Sequence, residues 1–435
     1  MGSNLGFRFD NVRTALRLMA KTALKDMRVS CIFETKALLP PGAPDSWDLP
    51  YFNLVAVGTS TLTPHNLQKQ LQAIEQELGR NFQAPRWAPR VIDLDILAWG
   101  DTVIADKTLQ IPHPELMNRP FLLRLMASLG TSWRYPISGF PYSHLTLTEI
   151  LTRFSPNGEM HKCFMPFPQI MGIVNITPDS FSDGGKYLQA EKALERIQEL
   201  AKDGSSIIDL GAQSTRPGAT PISAEEEWQR LEPVLDLLRQ TFQRCSANPK
   251  ISLDTFYPEV IEKALRHFPV DWINDVEGGK NERLLQTVAD SPCKIVLTHS
   301  LTVPASPSHI LPFDKTPSAY LCEWAERKIH QLNALGISQE RIILDPGIGF
   351  GKSPYQSLEL LRNIDALKTF GCEVLVGQSR KSFLKTVTLA ADRDIETIGI
   401  SHHLLKKKID YLRVHNVDAH QRSFTALAFV EGIDV

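Results

Sequence analysis

The chain contains no Cys-x-x-Cys pair. Its six cysteines stand singly at positions 31, 163, 245, 293, 322 and 372 of 435 residues. That spacing argues against a thiolate zinc site and against a disulfide scaffold, so a reduced, cytoplasmic setting is the simplest reading. No apolar run approaches the roughly 20 residues that span a bilayer. The opening Met1-Gly2-Ser3-Asn4-Leu5-Gly6 has neither the basic and apolar regions of a secretion signal nor an Arg- and Ser-rich transit pattern. An excess of one charge is also missing: 47 basic against 49 acidic residues leave a net charge of -2. No nucleic-acid or membrane partner is expected from bulk charge, although local basic pockets remain open. Low-complexity segments and long-period repeats are absent.

What is present is an ordinary globular composition, 43% apolar and 22% charged, in a length that suits two or three domains. From residue 169 onward, short apolar runs alternate with helical patterns. The runs are 170–176, 206–211, 250–255, 271–276, 294–299, 341–346, 373–377 and 411–416. Between them lie amphipathic stretches such as 190–202, 224–242, 258–268 and 319–335. Eight strands alternating with helices predict a closed parallel (β/α)8 TIM barrel, with a doubly wound open sheet as the structural alternative. Nearly every run finishes on a polar group: Asn175, Asp209, Asp254, Asn274 with Asp275, His299, Asp345, Arg380 with Lys381, and Arg413 with His415. In a barrel these ends converge on the C-terminal mouth, the usual catalytic face. Any one of them is more often a loop cap or a surface charge; one set per strand is harder to assign that way. Carboxylates, amides and cations together suit a polar heterocycle rich in N–H groups, held beside an anionic leaving group. The stretch Gly347–Ser353 imitates a phosphate-binding loop, but Pro346 stands where a glycine is needed, so it reads as a barrel loop. His402 and His403, adjacent on a helix, point apart and make a poor metal pair.

Seven motifs then follow in order. They are Asn175-Ile176-Thr177-Pro178-Asp179-Ser180-Phe181 with its Ser182-Asp183-Gly184-Gly185 extension, Ser214-Thr215-Arg216-Pro217-Gly218, Ser252-Leu253-Asp254-Thr255, Ile273-Asn274-Asp275-Val276, Leu344-Asp345-Pro346-Gly347, Gly377-Gln378-Ser379-Arg380-Lys381-Ser382-Phe383 and Arg413-Val414-His415. From residue 169 to the end the chain resembles the dihydropteroate synthases. The resemblance implies condensation of a dihydropterin methyl diphosphate with p-aminobenzoate, through a pterin-methyl cation and with loss of pyrophosphate. It implies that Asp254, Asn274, Asp345 and Lys381 hold the pterin. Asn175, Arg413 and His415 would hold the diphosphate, with Asn175 also touching Mg²⁺. Phe181, Thr215, Arg216, Lys381 and Ser382 would line the aminobenzoate site, and a homodimer through the barrel is a further family expectation. Three departures stand out: Ala212-Gln213 where the family has Gly-Glu, Thr298-His299 where Met-His is common, and His415-Asn416-Val417 where His-Asp-Val is usual.

The first half alternates differently. A helix is expected over 10–21, strands over 28–35 and 52–59, and a second helix through Leu67, Leu71, Ile74 and Leu78, stopped at Gly79. A further strand over 91–98 would put Asp93 and Asp95 on one face. This is a compact α+β pattern of ferredoxin-like type. An Asp-x-Asp alone is more often a solvated edge. Here Arg80, Arg86 and Arg90 precede it and His113 and Arg119 follow, and two oxygen ligands among guanidinium groups match Mg²⁺ carrying a polyphosphate.

These residues, with Gly2-Ser3-Asn4, Tyr51-Phe52-Asn53, Arg86-Trp87-Ala88-Pro89-Arg90 and Asn118-Arg119-Pro120-Phe121, resemble the 6-hydroxymethyl-7,8-dihydropterin pyrophosphokinases. The resemblance implies ATP as co-substrate, Asp93 and Asp95 on two Mg²⁺, Arg80 and Arg90 acting on the phosphates, and His113 and Arg119 steadying ATP. Tyr51, Asn53, Trp87 and Phe121 would hold the pterin. Without the motif, core packing would be the better reading of those aromatics. Ala88 replaces the family's Gly, and Asn81-Phe82-Gln83 carries none of the charge usual after Arg80.

The family's first strand is apolar and precedes its Gly-Ser-Asn, so this half reads as lacking a central strand, with unpaired backbone left behind and a start set too late. A helix over 145–154 followed by Pro156-Asn157-Gly158 predicts domains at 1–155 and 169–435, joined by a linker over 156–168. Together the two resemblances imply a chain that pyrophosphorylates a hydroxymethyl dihydropterin with ATP, giving AMP, and then couples the product to p-aminobenzoate. The alternative is an active barrel carrying a catalytically silent interaction domain. A pterin-dependent methyltransferase is disfavoured, because it has no use for the Ser-Arg-Lys-Ser motif.

Overall fold

The computed structural model describes residues 1–153, 161–177, 186–214, 218–242, 248–268, 270–306, 308–390, 392–431 and 433–434. They fall into two compact units, Met1–Pro166 with Gln421–Val435, and Phe167–His420.

The first unit begins with a short strand, β1 (Gly2–Ser3), and a helix, α1 (Arg8–Thr22), whose Val12, Ala15, Leu16 and Met19 are buried at i, i+3, i+4 and i+7. Strands β2 (Lys25–Val29) and β3 (Ile32–Thr35) are one run broken at Ser30-Cys31. Strands β4 (Tyr51–Asn53) and β5 (Ala56–Thr59) are likewise broken at Leu54-Val55, and the two breaks are tied by Ser30 N–H to Val55 O at 2.9 Å. Helix α2 (Pro64–Glu77) starts on Thr63, whose side chain accepts from Asn66 N, with Pro64 at its first turn. Then come β6 (Ile104–Ala105), β7 (Gln110–Ile111), α3 (Pro120–Ser128), α4 (Leu147–Leu151) and β8 (Lys162–Phe164). The sheet order is β1-β4-β3-β8.

Three expectations are corrected here. The first concerns the backbone expected to lie unpaired at Gly2-Ser3. Gly2 pairs with Asn53 of β4 on one side, and on the other exchanges backbone hydrogen bonds of 2.8 and 2.7 Å with Asp93. The Gly2 backbone is thus paired on both sides, and Ser3 pairs with Phe52. A Cβ on Gly2 would sit 3.0 Å from Asn53 Oδ1, so glycine suits this close crossing. The second concerns the strand expected over 91–98. It is reduced to the single Gly2–Asp93 bridge, because so short a partner supports no longer ladder. The third concerns the linker. Lys162–Phe164 pairs antiparallel with β3, and Phe164 and Met165 are buried. Phe164 packs 5.2 Å from Phe52 and 5.8 Å from Phe9, so apolar residues in a proline-flanked segment found a core. At the other end of the chain, residues 421–435 group with the first unit, where β17 (Ile433–Asp434) pairs with β2.

In the second unit β9 (Gln169–Asn175), β10 (Ile207–Gly211), β11 (Lys250–Asp254), β12 (Trp272–Asp275), β13 (Lys294–Thr298), β14 (Ile342–Asp345), β15 (Glu373–Val376) and β16 (Tyr411–Val414) close a parallel barrel in chain order, β16 pairing back to β9. The open-sheet alternative is thereby excluded. The connecting helices are α5 (Lys186–Lys202), α6 (Ala224–Phe242), α7 (Pro258–His267), α8 (Glu282–Ala289), α9 (Pro317–Ala334), α10 (Pro354–Arg362) with α11 (Asp365–Lys368), and α12 (Asp394–Lys406); α13 (Val417–Glu431) follows β16. Their starts are written locally: Pro stands in the first turn of α7, α9 and α10, and Ser353 with Gln356 forms a capping box on α10.

The barrel interior is plugged by Met171, Ile207, Trp272, Val296, Ile343, Leu375 and Tyr411. The Trp272 and Tyr411 rings meet edge to face at 4.8 Å. Each such ring buries on the order of 200 Å², or about 5 kcal/mol of transfer free energy before entropy is charged. A plug of that kind is a rigid floor, and it leaves the polar ends of the strands on the opposite side.

Candidate active sites

Strand register brings the barrel's polar ends level. Asn175 and Asp254 flank Gly211, Asp254 faces Asn274, and Thr298 faces Asp345. Arg413 joins them. Its Nε donates to Asp209 Oδ2 at 2.6 Å and its Nη2 to Asp254 Oδ2 at 2.7 Å, while Asn274 Nδ2 donates to the same Asp209 oxygen at 3.0 Å. Asp209 is fully buried, and its presence within Ile-Ile-Asp-Leu-Gly was the clue that it must be paired. It was expected only as a strand end; the structure makes it the acceptor that aligns Arg413 and Asn274.

Burial pushes Asp254 up to about 7, opposed by Arg413 and reinforced by Asp209. Burial also pushes Asp345 up to about 6, against the Gly347 N–H, which donates to it at 2.7 Å, and against Lys381. Burial works against the Arg413 charge, yet Asp209 and Asp254 raise its pKa. The mouth is therefore a shared pool of charge: two carboxylates poised near neutrality, facing cations that lower their pKa. Lys381 lies with its Nζ 4.4 Å from the Phe350 ring centroid. His415 Nδ1 is 2.9 Å from Ser379 Oγ. Ser382 begins the turn after Lys381 and is exposed. Phe181, Thr215 and Arg216 lie outside the described residues.

The imitation phosphate loop has another task. A Cβ on Gly347 (φ +64°) would overlap the His299 carbonyl oxygen. The Lys352 Nζ is buried and lies 2.9 Å from each of His299 O, Phe350 O and His299 Nδ1. Burial lowers Lys352 to about 7, and burial with Lys352 alongside lowers His299 to about 2, which leaves the imidazole neutral and able to accept. The lysine thus ties β13 to the loop after β14. Lys352→Met should destabilise the barrel by about 3 kcal/mol, since it strands these acceptors. Thermal unfolding of the two proteins checks this.

In the first unit the Asp-x-Asp faces outward, Asp93 half-buried and Asp95 exposed, between buried Ile92 and Leu94. Arg80 Nη1 lies 2.6 Å from Asp93 Oδ1, and Arg90 Nη1 lies 3.4 Å from the same oxygen. Behind them, buried Glu75 pairs with Arg80 and accepts from Leu94 N at 2.7 Å. Glu75 was not anticipated; a Glu among buried Leu71 and Ile74 was its only trace. Burial raises it to about 7, against Arg80 and the Leu94 N–H. A carboxyl raised in the folded state stabilises most at low pH and loses that contribution as pH climbs through its folded pKa. The parent should therefore lose on the order of 2 kcal/mol relative to Glu75→Gln between pH 4 and 8. The temperature at which AMP-forming activity is lost, measured for both proteins at each pH, tests the sign.

Tyr51 and Asn53 share one face of β4. Burial raises the Tyr51 phenol while Arg90 opposes, and Asn53 Nδ2 donates to Thr35 Oγ1 at 2.8 Å. Phe121 stands in the first turn of α3 and meets His161 edge-on at 5.8 Å, and Arg86 lies over Trp87 at 5.2 Å. His113 Nδ1 accepts from Glu115 N at 3.2 Å, and Arg119 precedes α3. No group of three or more His, Cys, Asp or Glu placed to hold a metal occurs among the described residues. Two carboxylates supplying only oxygen do fit a hard cation that completes its shell with water and phosphate.

Comparison with known proteins covers both units. Residues 171–415 match the family of pterin binding enzymes, and residues 1–131 match the 7,8-dihydro-6-hydroxymethylpterin-pyrophosphokinases. The folate synthesis bifunctional protein of Chlamydia caviae is 42% identical over 433 residues, 99% of this chain and 97% of that one. That of Chlamydia muridarum is 40% identical over the same shares. Among solved structures, the dihydropteroate synthase of Xanthomonas albilineans with 4-aminobenzoic acid aligns with TM-score 0.54 at 34% identity, covering 61% of this chain and 93% of that one. The Yersinia pestis enzyme in complex with a sulfonamide drug aligns with TM-score 0.54 at 31% identity, covering 60% and 92%.

Proposed function

Since the chain belongs to the bifunctional folate synthesis proteins, which join a hydroxymethyl dihydropterin pyrophosphokinase to a dihydropteroate synthase, we propose how its own residues divide the two reactions. In the first, the pterin hydroxymethyl oxygen loses its proton and forms a bond to the β-phosphorus of ATP, while the bond from that phosphorus to the oxygen bridging to the α-phosphorus breaks and AMP departs with that oxygen. Arg80 and Arg90 would bear on the phosphates, His113 and Arg119 would hold ATP, and Tyr51, Asn53, Trp87 and Phe121 would hold the pterin. Asp93 and Asp95 would hold Mg²⁺, which when bound neutralises polyphosphate charge. Glu75 would keep Arg80 and the Leu94 backbone in place.

In the second, the bond from the pterin methylene to the diphosphate breaks, the aminobenzoate nitrogen bonds to that carbon, and a proton leaves the amine. Asp254, Asn274, Asp345 and Lys381 would grip the ring. The pterin's guanidine-like edge would replace Arg413 on Asp254, turning Arg413 toward the diphosphate with His415 and Asn175. Cations gathered where charge builds on the leaving group favour the transition state over the ground state. Phe181, Thr215, Arg216 and Ser382 would complete the aminobenzoate site, with Asn175 also near Mg²⁺.

The observation that supports this reading best is the convergence of Asp209, Asp254, Asn274 and Arg413 from four strands at one end of the barrel. An assay with ATP, hydroxymethyl dihydropterin and p-aminobenzoate, reading AMP and dihydropteroate separately, tests each half. A homodimer through the barrel and a cytoplasmic setting belong to the same proposal. Free thiols at Cys31, Cys163, Cys293, Cys322 and Cys372 favour a reducing compartment. Among the described residues no helix is long and apolar enough to cross a membrane.

A further inference from the structure

Lys381 and His415 stand beyond the ends of β15 and β16, so loops rather than ladders place them. The residue before Lys381 is Arg380, with φ +57°, a left-handed conformation that side chains other than glycine rarely adopt. It is held there by α12. Arg380 Nε and Nη2 donate to the two oxygens of Asp394 at 2.7 and 2.9 Å, its backbone N–H donates to Thr397 Oγ1 at 3.2 Å, and its carbonyl accepts from Arg393 at 3.0 Å. Asp394 Oδ2 also accepts from Asn416 Nδ2 at 3.0 Å, and Asn416 is the residue after His415. One carboxylate on α12 therefore grips the neighbours of two expected substrate ligands.

We propose that Asp394 is a positioning residue that sets Lys381 and His415 relative to each other, and that it forms a matched pair with Asn416. The physical reason lies in donors and acceptors. Asp394 can only accept at neutral pH, so its partner at 416 must donate, and asparagine does. Aspartate at 416 would set two carboxylates about 3 Å apart and push the loop that carries residue 416 away. Ser379, already bonded to His415, provides a second tie between the same loops. Arg380 spends its Nε and Nη2 on Asp394.

The inference rests on the reading of Lys381 and His415 as barrel substrate ligands. The test uses the full chain in four forms: parent, Asn416→Asp, Asp394→Asn and the double exchange, which restores one donor facing one carboxylate. Dihydropteroate formation from supplied pterin diphosphate should fall roughly tenfold in kcat/KM for Asn416→Asp. The double exchange should recover part of that loss, about threefold, without reaching the parent, because asparagine at 394 offers Arg380 one neutral acceptor oxygen in place of two charged ones. AMP formation by the first half should stay constant in all four, which separates a site effect from misfolding. Unchanged kinetics in Asn416→Asp, or a double exchange no better than Asn416→Asp, would overturn the pairing. Lys381→Ala in the same assay tells the two ideas apart: if it alone leaves the rate intact, the ligand assignment has failed and not only the clamp.

Discussion

Asp95→Ala should reduce AMP formation at least about 10³-fold, equivalent to roughly 4 kcal/mol of transition-state stabilisation, while dihydropteroate formation from supplied diphosphate stays at the parental rate. The size follows from the charge inventory. Asp93 already shares one oxygen with Arg80 and Arg90, whereas Asp95 stands exposed on the same face. A hard cation carrying a polyphosphate takes one or two protein carboxylates and fills its shell with phosphate and water, so removing Asp95 takes away the carboxylate that no guanidinium already holds. Deleting Asp95 disturbs little packing, so stability should change by less than about 0.5 kcal/mol. Separate quantitation of AMP and dihydropteroate decides it, and appreciable AMP from the variant would remove the metal role from this pair.

Lys381→Ala should do the reverse, lowering dihydropteroate formation by roughly 10²–10³-fold with AMP formation untouched. Lys381 is among the groups that lower the pKa of both Asp254 and Asp345, and it lies over the Phe350 ring. Its loss removes a cation from a mouth where burial already pushes those carboxylates up, so both bind protons more readily. Lys381→Ala should therefore also shift the rise of kcat/KM with pH toward higher pH, because ionised carboxylates are the acceptors for the pterin. Lys381→Arg should recover part of the rate. A variant with unaltered kcat/KM and pH profile would sink the assignment.

Much of the site was legible because each barrel residue arrives at a strand's end, and strand ends can be read from apolar runs. Asn175, Asp254 and Asp345 close their strands, Asn274 is the last but one residue of its own, and Arg413 falls in the eighth. Asp209 was underrated because a pairing partner two hundred positions away leaves no local mark. Glu75 was hidden for a similar reason: on a helix it looks like surface, and only α2's packing against the Asp93 segment buries it. The strand expected over 91–98 failed because alternation describes a face, not a partner. The linker failed because prolines end helices without forbidding an edge strand.

By itself the sequence determined the eightfold alternation, the helix starts, the order of the polar strand ends and the oxygen-only character of Asp93 and Asp95, since all of these depend on neighbours within a few residues. Tertiary structure alone decided which oxygen Arg413 shares with Asn274, that Lys352 braces β13 instead of binding phosphate, and that Asp394 reaches both Arg380 and Asn416. These contacts join separate segments, and only chain closure, which brings distant stretches to within 3 Å of each other while shutting out water, selects among the many pairings the same residues could make.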